Sequence, residues 1–367
     1  MDKKLLNIVV TGGPCGGKTT VLDELTKLLR SYGYTVFLSR EVATELINDG
    51  VRPFGDDKID LRTFQSLVLD LQIAKENVRR DAAQLCKNDK VAILYDRGIL
   101  DNRGYIDDAT FNEFLIERGI TESEILTRYD LVIHLVTAAI GKEEYYTTEN
   151  NSARTETVEE ARIQDAKTLS AWRNHPNLRI VGNDTLFDEK VNKVKNYIRA
   201  YIGEEEVLKQ ERYLINISDI DLNFFSHQMI KEEIEEFVLT YDNTDSEIYS
   251  KSSIDGSSYY TCTKNNKNKI KTCRKITKEE YYDYFDKLKG SVLKKFRYNF
   301  IDNSERYRLD FFNIDNNSFA ILERDVSNAN NKDLPKFIKH AINITDSRDY
   351  DDDSLFIDYN INNLYRR

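Results

Sequence analysis

The chain has 367 residues, 40% of them hydrophobic and 32% charged, and a formal net charge of −10. That length allows more than one sizeable core, and the acidic balance excludes a general nucleic-acid binder, so no nucleic-acid partner is expected. The four cysteines, Cys15, Cys86, Cys262 and Cys273, form no CxxC pair and no dense framework, which argues against zinc and a secreted disulfide scaffold and for a reducing compartment.

Met1-Asp2-Lys3-Lys4 followed by the strand-length apolar run Leu5–Val10 is neither a signal peptide nor a membrane span. A cytoplasmic location is expected, with any membrane contact peripheral. The apolar run leads into Gly12-Gly13-Pro14-Cys15-Gly16-Gly17-Lys18-Thr19-Thr20 and then the helical pattern Val21, Leu22, Leu25, Leu28, Leu29. Strand, glycine-rich turn and helix start are the context a phosphate-binding loop requires. The glycines let backbone N–H groups curl around phosphates, Lys18 supplies a point charge, and the Thr19 hydroxyl suits Mg²⁺. Gly12, Gly13, Pro14, Cys15, Gly16, Gly17, Lys18, Thr19 and Thr20 are therefore the expected nucleotide cradle.

Up to about Tyr201 strand-like and helix-like stretches alternate. Thr35–Leu38, Val91–Tyr95, Leu131–Val136 and Leu178–Val181 read as further buried strands. The pattern predicts an α/β domain with a parallel sheet covered on both faces and a ligand crevice at the carboxyl ends of its strands. Glu41 follows the second strand and Asp96 ends the third. A carboxylate there can hold Mg²⁺, which makes Thr19 and Asp96 the expected metal ligands, or can take a proton from an attacking hydroxyl. Arg154 lies in the polar stretch Thr147 to Thr157, where an arginine could close over a transferring phosphate. Glu41, Asp96 and Arg154 are the catalytic candidates. His134, within a strand, reads as a core histidine, and His175 as a turn residue before the last strand. Gln72 and Glu76, one turn apart on a long charge-rich helix, are expected to face solvent. An Asn-Lys-x-Asp guanine turn is absent, because Asn192-Lys193-Val194-Lys195 lacks the aspartate. ATP and GTP both remain open.

With GGPCGGKTT, Arg40-Glu41-Val42-Ala43-Thr44, Asp96-Arg97-Gly98, Arg154 with Glu156, Trp172…His175 and Asn183-Asp184 in this order, residues 1–203 resemble the NadR-like P-loop domain. The resemblance implies kinship with nucleoside and nucleotide kinases.

After Gly203-Glu204-Glu205-Glu206 the texture changes to short strands: Glu247–Ser252, Tyr259–Lys264, Lys295–Asn299, Arg308–Phe312 and Phe319–Asp325. Charged residues alternate along them, as Lys295 with Arg297, Arg308 with Asp310, and Glu323 with Asp325, so each pair shares a strand face. A solvated exterior explains such faces, and so does a barrel with a cation-rich lumen for polyanions. Tyr249-Ser250-Lys251, Tyr260-Thr261-Cys262-Thr263-Lys264, Lys295-Phe296-Arg297-Tyr298, Leu309-Asp310-Phe311-Phe312 and Ile321-Leu322-Glu323-Arg324-Asp325 make this half similar to the CYTH or triphosphate-tunnel barrel. Lys251, Lys264, Lys295, Arg297 and Arg308 are the expected anion-binding residues, and a shared lumen is expected for the first four. The two glutamates of that family's opening signature fall on Leu208 and Gln210, which favours phosphate binding over metal-dependent hydrolysis.

The fused order resembles the TRPL translocation defect protein family. It implies a nucleotide-binding protein or slow NTPase, binding GTP or ATP with Mg²⁺. The second domain then takes an anionic phospholipid head group (phosphatidic acid or a phosphoinositide) or polyphosphate. A small-molecule kinase acting on a nucleoside-like acceptor is the alternative. The expected boundaries are 1–203 for the P-loop domain, 204–209 for an acidic linker, 210–352 for an antiparallel CYTH-like barrel, and 353–367 for a tail.

Overall fold

Apolar runs too short for helices and rich in β-branched residues become the strands of the first sheet. In the computed structural model these are β1 (Lys4–Thr11), β2 (Thr35–Ser39), β3 (Lys90–Asp96), β4 (Leu131–Leu135) and β5 (Leu178–Val181), all parallel in the order β2-β3-β1-β4-β5. The structure describes residues 4–146, 157–203, 210–221, 223, 229, 231–242, 245–265, 270–287, 292–314, 317–325, 333–345 and 347. They fall into two compact units, Met1–Thr121 with Arg128–Arg199, and Glu122–Thr127 with Ala200–Arg367.

Helices α1 (Lys18–Ser31), α2 (Val42–Asn48), α3 (Leu61–Leu85), α4 (Asp108–Glu117), α5 (Glu122–Leu126), α6 (Val158–Ala171) and α7 (Phe187–Ile202) follow in chain order, all but α5 belonging wholly or mainly to the first unit. Ile8, Val9, Val10, Ile93, Leu94, Val132 and Ile133 are fully buried at the sheet, each such side chain contributing roughly 1.5–3 kcal/mol. The parallel order puts the ends of β1, β2 and β3 side by side, so the residues that follow them converge.

On α3 the run Phe64, Val68, Gln72, Glu76 recurs every four residues and lies on the buried stripe. Gln72 and Glu76 are thus buried, at 6% and 1% exposure, and do not face solvent as expected: the apolar members of the stripe, not the charges around it, set the helix's orientation. Tyr129 Oη donates to Glu76, and Gln72 accepts from Asn102 Nδ2 at 3.0 Å.

The second unit is one antiparallel sheet. Its strands are β6 (Gln210–Asn216), β7 (Lys231–Asp242), β8 (Asp245–Ser253), β9 (Ser257–Asn265), β10 (Ile270–Lys275), β11 (Leu293–Asp302), β12 (Glu305–Ile314), β13 (Asn317–Asp325) and β14 (Ile342–Asn343). They are ordered β10-β9-β8-β7-β11-β12-β13-β6-β14. One face carries Phe300, Tyr307, Leu309 and Leu322 against Phe337 and Ile338, and farther along, Phe237 and Tyr249 against Tyr281 of α8 (Lys278–Phe285).

The sequence suggested no cysteine pair, but Cys262 and Cys273 are joined. They stand directly opposite in the β9–β10 ladder, a juxtaposition that depends on strand register and leaves no mark in local spacing.

Candidate functional site

In the first unit the glycine-rich loop leaves β1 at Thr11 and enters α1 at Lys18. Gly12 has φ 132°, and a Cβ there would lie 2.1 Å from the Leu135 carbonyl oxygen. Only a glycine lets the loop pass so close to β4. Gly16 is similarly tight against Leu135, and Gly17 has φ 88° with the Phe187 ring over it. Cys15 adopts φ 54° without being glycine, a strain of roughly 1–2 kcal/mol that the surrounding loop sustains. Helix α1 then starts at Lys18 with no side-chain cap and no acidic residue in its first turn. No acid of the helix's own first turn offsets its partial positive charge at Lys18, Thr19 and Thr20, the arrangement that receives an anion. Lys18 Nζ lies over the loop, donating to the carbonyls of Gly12 (3.1 Å) and Gly13 (2.9 Å). Thr137 Oγ1 donates to the Pro14 carbonyl at 2.5 Å.

Glu41 and Asp96 approach this loop from the ends of β2 and β3. Glu41 immediately precedes α2, without a side-chain cap bond, and accepts from Arg97 Nε at 2.5 Å and from Thr44 Oγ1 at 2.8 Å. Burial pushes its carboxyl upward, but the charges of Arg97 and Lys18 outweigh that and hold it at about 2. Asp96 goes the other way, to about 6: burial and the charge of Glu41 raise it more than Lys18 and Arg97 lower it. Its Oδ1 is buried and has no hydrogen-bond partner among the described residues. Two neighbouring carboxylates held at well-separated values are the pattern expected where one is a fixed anion and the other takes part in chemistry.

Arg97 completes the cluster. It stands at φ 70°, rare for a residue with a Cβ, and donates from Nη1 to the Gly12 carbonyl at 3.3 Å as well as to Glu41. Asp101 accepts from Thr11 Oγ1 and from Gly98 N–H at 2.7 Å. Arg154 lies outside the described residues.

Three residues of this region were not singled out as site members by sequence reasoning: Arg97, Asp165 and Lys190. Asp165 accepts from the Gly13 and Thr137 amides, at 2.7 and 3.1 Å, and its Oδ1 is 3.2 Å from His134 Nε2. Burial raises its carboxyl, but the neighbouring His134 and the two amides leave it below the ordinary range. Lys190 Nζ donates to the Val136 carbonyl (2.8 Å) and Asn183 Oδ1 (2.7 Å), and burial lowers it to about 8. The available signal for Asp165 was an acid inside the stripe Ala161, Asp165, Thr168, Leu169 of α6. His134 is fully buried, as a core histidine is. His175 accepts from the Asn177 amide at Nδ1 and has Nε2 2.9 Å from the Tyr129 carbonyl, so the hydrogen-bond network assigns the proton to Nε2 and makes the ring a turn brace.

The buried Glu76 nearby supplies a pH test. Burial lifts it to about 7 despite the Tyr129 hydroxyl and Arg128, so between its ordinary value near 4.5 and about 7 the unfolded chain releases a proton that the folded chain keeps. Stability therefore falls as pH rises through that window and levels off above it. Glu76→Gln should remove its share of the fall, leaving the smaller share of the raised Asp96, and be more stable than the wild type above pH 7, by up to about 3 kcal/mol. Chemical denaturation at pH 5 and 8 measures it, and an unchanged pH slope in the variant would refute it.

The second unit presents a different surface. Register puts Gln210 and Arg212 of β6, Glu323 and Asp325 of β13, Arg306, Arg308 and Asp310 of β12, Lys295, Arg297 and Asn299 of β11, and Glu232 and Glu236 of β7 on one face. Lys295 is 2.7 Å from Glu236 and 2.9 Å from Asp310, and Arg297 grips Asp310 with two bonds of 2.6 Å. Arg308 is 3.1 Å from both Glu323 and Asp325, Arg212 is 3.3 Å from Glu323, and Gln210 donates to Asp325 at 2.8 Å. Burial pushes Asp310 up, but Arg297 and Lys295 overcome it and hold the carboxyl far below its ordinary value. Leu293, Phe312 and Ile321 form an apolar cluster at one end of this face.

Two expectations change. Lys251 stands opposite Glu235, not Glu236, so it lies on the other face and pairs with Glu235 at 3.3 Å, which Lys294 shares at 3.1 Å. Lys264 pairs in register with Ser246; its side chain lies outside the described ones. The face is also not cation-rich: Arg212, Lys295, Arg297, Arg306 and Arg308 are matched by Glu232, Glu236, Asp310, Glu323 and Asp325. Within Glu232-Glu233-Ile234-Glu235-Glu236 of β7, it is the pairing with β11 that shows which two acids share the face of Lys295 and Arg297.

Among the described residues no cluster of three or more His, Cys, Asp or Glu could hold a metal, and no helix is long and apolar enough to cross a membrane. No curated protein matches the chain. Two solved structures align with it at 12% identity and a TM-score of 0.31: the hypothetical protein NE1496, over 41% of this chain and 98% of its own, and the inorganic triphosphatase NE1496, over 42% and 96%. So low a TM-score carries no argument. The AAA domain family matches residues 7–190, just over half of the chain. The match spans the glycine-rich loop, Glu41, Asp96 and Asp165, and the chain belongs to the AAA domain family.

Proposed function

We propose that the first unit binds ATP or GTP with Mg²⁺ and hydrolyses it slowly, and that the second unit binds a polyanion, a phospholipid head group or polyphosphate. The observation that carries the first part is the pairing of an uncapped α1 N-terminus with a buried Asp96 oxygen that nothing among the described residues satisfies. A buried carboxylate left this way is costly unless a ligand answers it. A hard cation bound also to phosphate would do so. Thr19 and Asp96 fit Mg²⁺, which takes few protein ligands and keeps water and phosphate oxygens; when bound it would neutralise phosphate charge. The protein's own part is to cradle the phosphates on the α1 amides, to place the Lys18 ammonium beside them, and to anchor Arg97 against Glu41. A kinase acting on a small acceptor is the second reading, favoured by the raised Asp96, which suits a proton acceptor for an attacking hydroxyl.

For the second unit, support comes from five buried or half-buried cations on one face. A polyanion would enter by exchanging with their carboxylate partners, so binding should weaken as salt rises.

Asp96→Asn preserves shape and removes the charge. Nucleotide affinity should fall by roughly tenfold or more in Mg²⁺ and change little in EDTA. Equal losses in both media would mean that Asp96 is structural. Transfer of labelled γ-phosphate to nucleosides, compared with release to water, separates the kinase reading from the hydrolytic one.

A further inference from the structure

We infer that Asp165 of α6 is a positioning residue for the phosphate-binding loop, holding it from behind in the shape that receives nucleotide. The inference rests on the nucleotide-binding reading of that loop. Asp165 is 2% exposed, and a single oxygen, Oδ1, accepts both the Gly13 amide at 2.7 Å and the Thr137 amide at 3.1 Å. Thr137 in turn donates from Oγ1 to the Pro14 carbonyl at 2.5 Å. The two consecutive loop residues Gly13 and Pro14 are therefore tied to one carboxylate, directly and through Thr137. The packing is as close as the bonding: a Cβ on Gly13 would stand 2.7 Å from Asp165 Oδ1.

A carboxylate behind an anion-binding loop is unfavourable for the phosphates unless it is compensated. His134 lies against it, with Nε2 3.2 Å away, and the positive charge of Lys190 acts on it. With this compensation Asp165 spends its acceptor capacity on loop amides. Turning the Gly13 N–H backward fixes the Gly12–Gly13 peptide plane, whose carbonyl then points the opposite way. That leaves the Gly12 and Gly13 carbonyls toward Lys18 Nζ and the later amides, at the start of α1, for phosphate. A loop held in its binding shape before the ligand arrives loses less freedom on binding.

The test uses the full chain with Mg·ATP and Mg·GTP as probes. Asp165→Ala removes the acceptor, and nucleotide affinity should fall roughly tenfold to a hundredfold, the range for losing charge-assisted bonds. Amide exchange at Gly13 and Thr137 in the nucleotide-free protein should accelerate in the same variant. Asp165→Asn keeps an acceptor oxygen and should restore affinity to within about threefold of wild type, a rescue that a purely structural charge would not show. If Asp165→Ala fails to fold, Thr137→Val, which spares both amides bonded to Asp165 and removes the Pro14 bond together with the long bond from the Ala139 amide, should lower affinity about fivefold. Undiminished affinity in Asp165→Ala, or Asp165→Asn as weak as Asp165→Ala, overturns the inference alone. A wild-type chain that binds neither nucleotide overturns the nucleotide reading and the inference with it.

Discussion

Gly12→Ala should abolish nucleotide binding, lowering affinity by more than about a hundredfold and destabilising the first unit by roughly 3 kcal/mol. The added Cβ would stand 2.1 Å from the Leu135 carbonyl oxygen, a backbone atom of a central strand that cannot step aside. The φ of 132° is one that residues with a Cβ rarely adopt. Relief requires moving the start of the loop, and with it the Gly12 carbonyl that accepts from both Lys18 and Arg97. Calorimetric titration and thermal melting check the two parts. Near wild-type affinity would mean that the loop does not hold the phosphates.

Asp310→Ala should destabilise the second unit by about 3–5 kcal/mol, the loss typical of breaking one side of a buried ion pair. Asp310 is 3% exposed and answers two cations, Arg297 with two bonds and Lys295 with one contact, while Lys295 retains Glu236. Arg297 would be left with the more distant pull of Glu236 and Glu232. On the proposed polyanion reading the variant also frees Arg297 and Lys295 for phosphate, so inorganic tripolyphosphate should recover part of the lost melting temperature, and high salt should remove that recovery. Phe296→Ala is the control. Phe296 is 42% exposed on the opposite face of β11 beneath Lys231, so its removal should leave tripolyphosphate binding unchanged. An Asp310→Ala chain as stable as wild type would show that the charged face is solvated and weakly coupled.

The first unit was the more legible half. Its strands are local apolar runs, its loop is contiguous, and Glu41 and Asp96 follow strand ends, so chain order alone brings them toward one crevice. What escaped notice depends on orientation. Gln72 and Glu76 looked solvated because α3 is charge-rich, yet they continue the Phe64, Val68 repeat and turn inward. Asp165 looked like one more helical acid until α6 placed it behind Gly13.

In the second unit, alternation correctly paired Lys295 with Arg297 and Glu323 with Asp325 on single strand faces. It could not say which face of β8 meets which face of β11. That depends on the β7–β8 and β7–β11 registers, where a slip of one residue reverses every side chain, and Lys251 fell on the far side for this reason. The matching acids Glu232 and Glu236 were missed on the same grounds, so the charge balance of the face was visible only once the strands were paired.

The central claim is that the glycine-rich loop binds a nucleoside triphosphate through Lys18, and calorimetry of Mg·ATP and Mg·GTP against wild type and Lys18→Ala tests it most directly. The account predicts binding of one or both nucleotides to the wild type and a loss of about 2 kcal/mol or more in Lys18→Ala, the upper range for a charge-assisted contact. Affinity for both nucleotides unchanged by the substitution would contradict it.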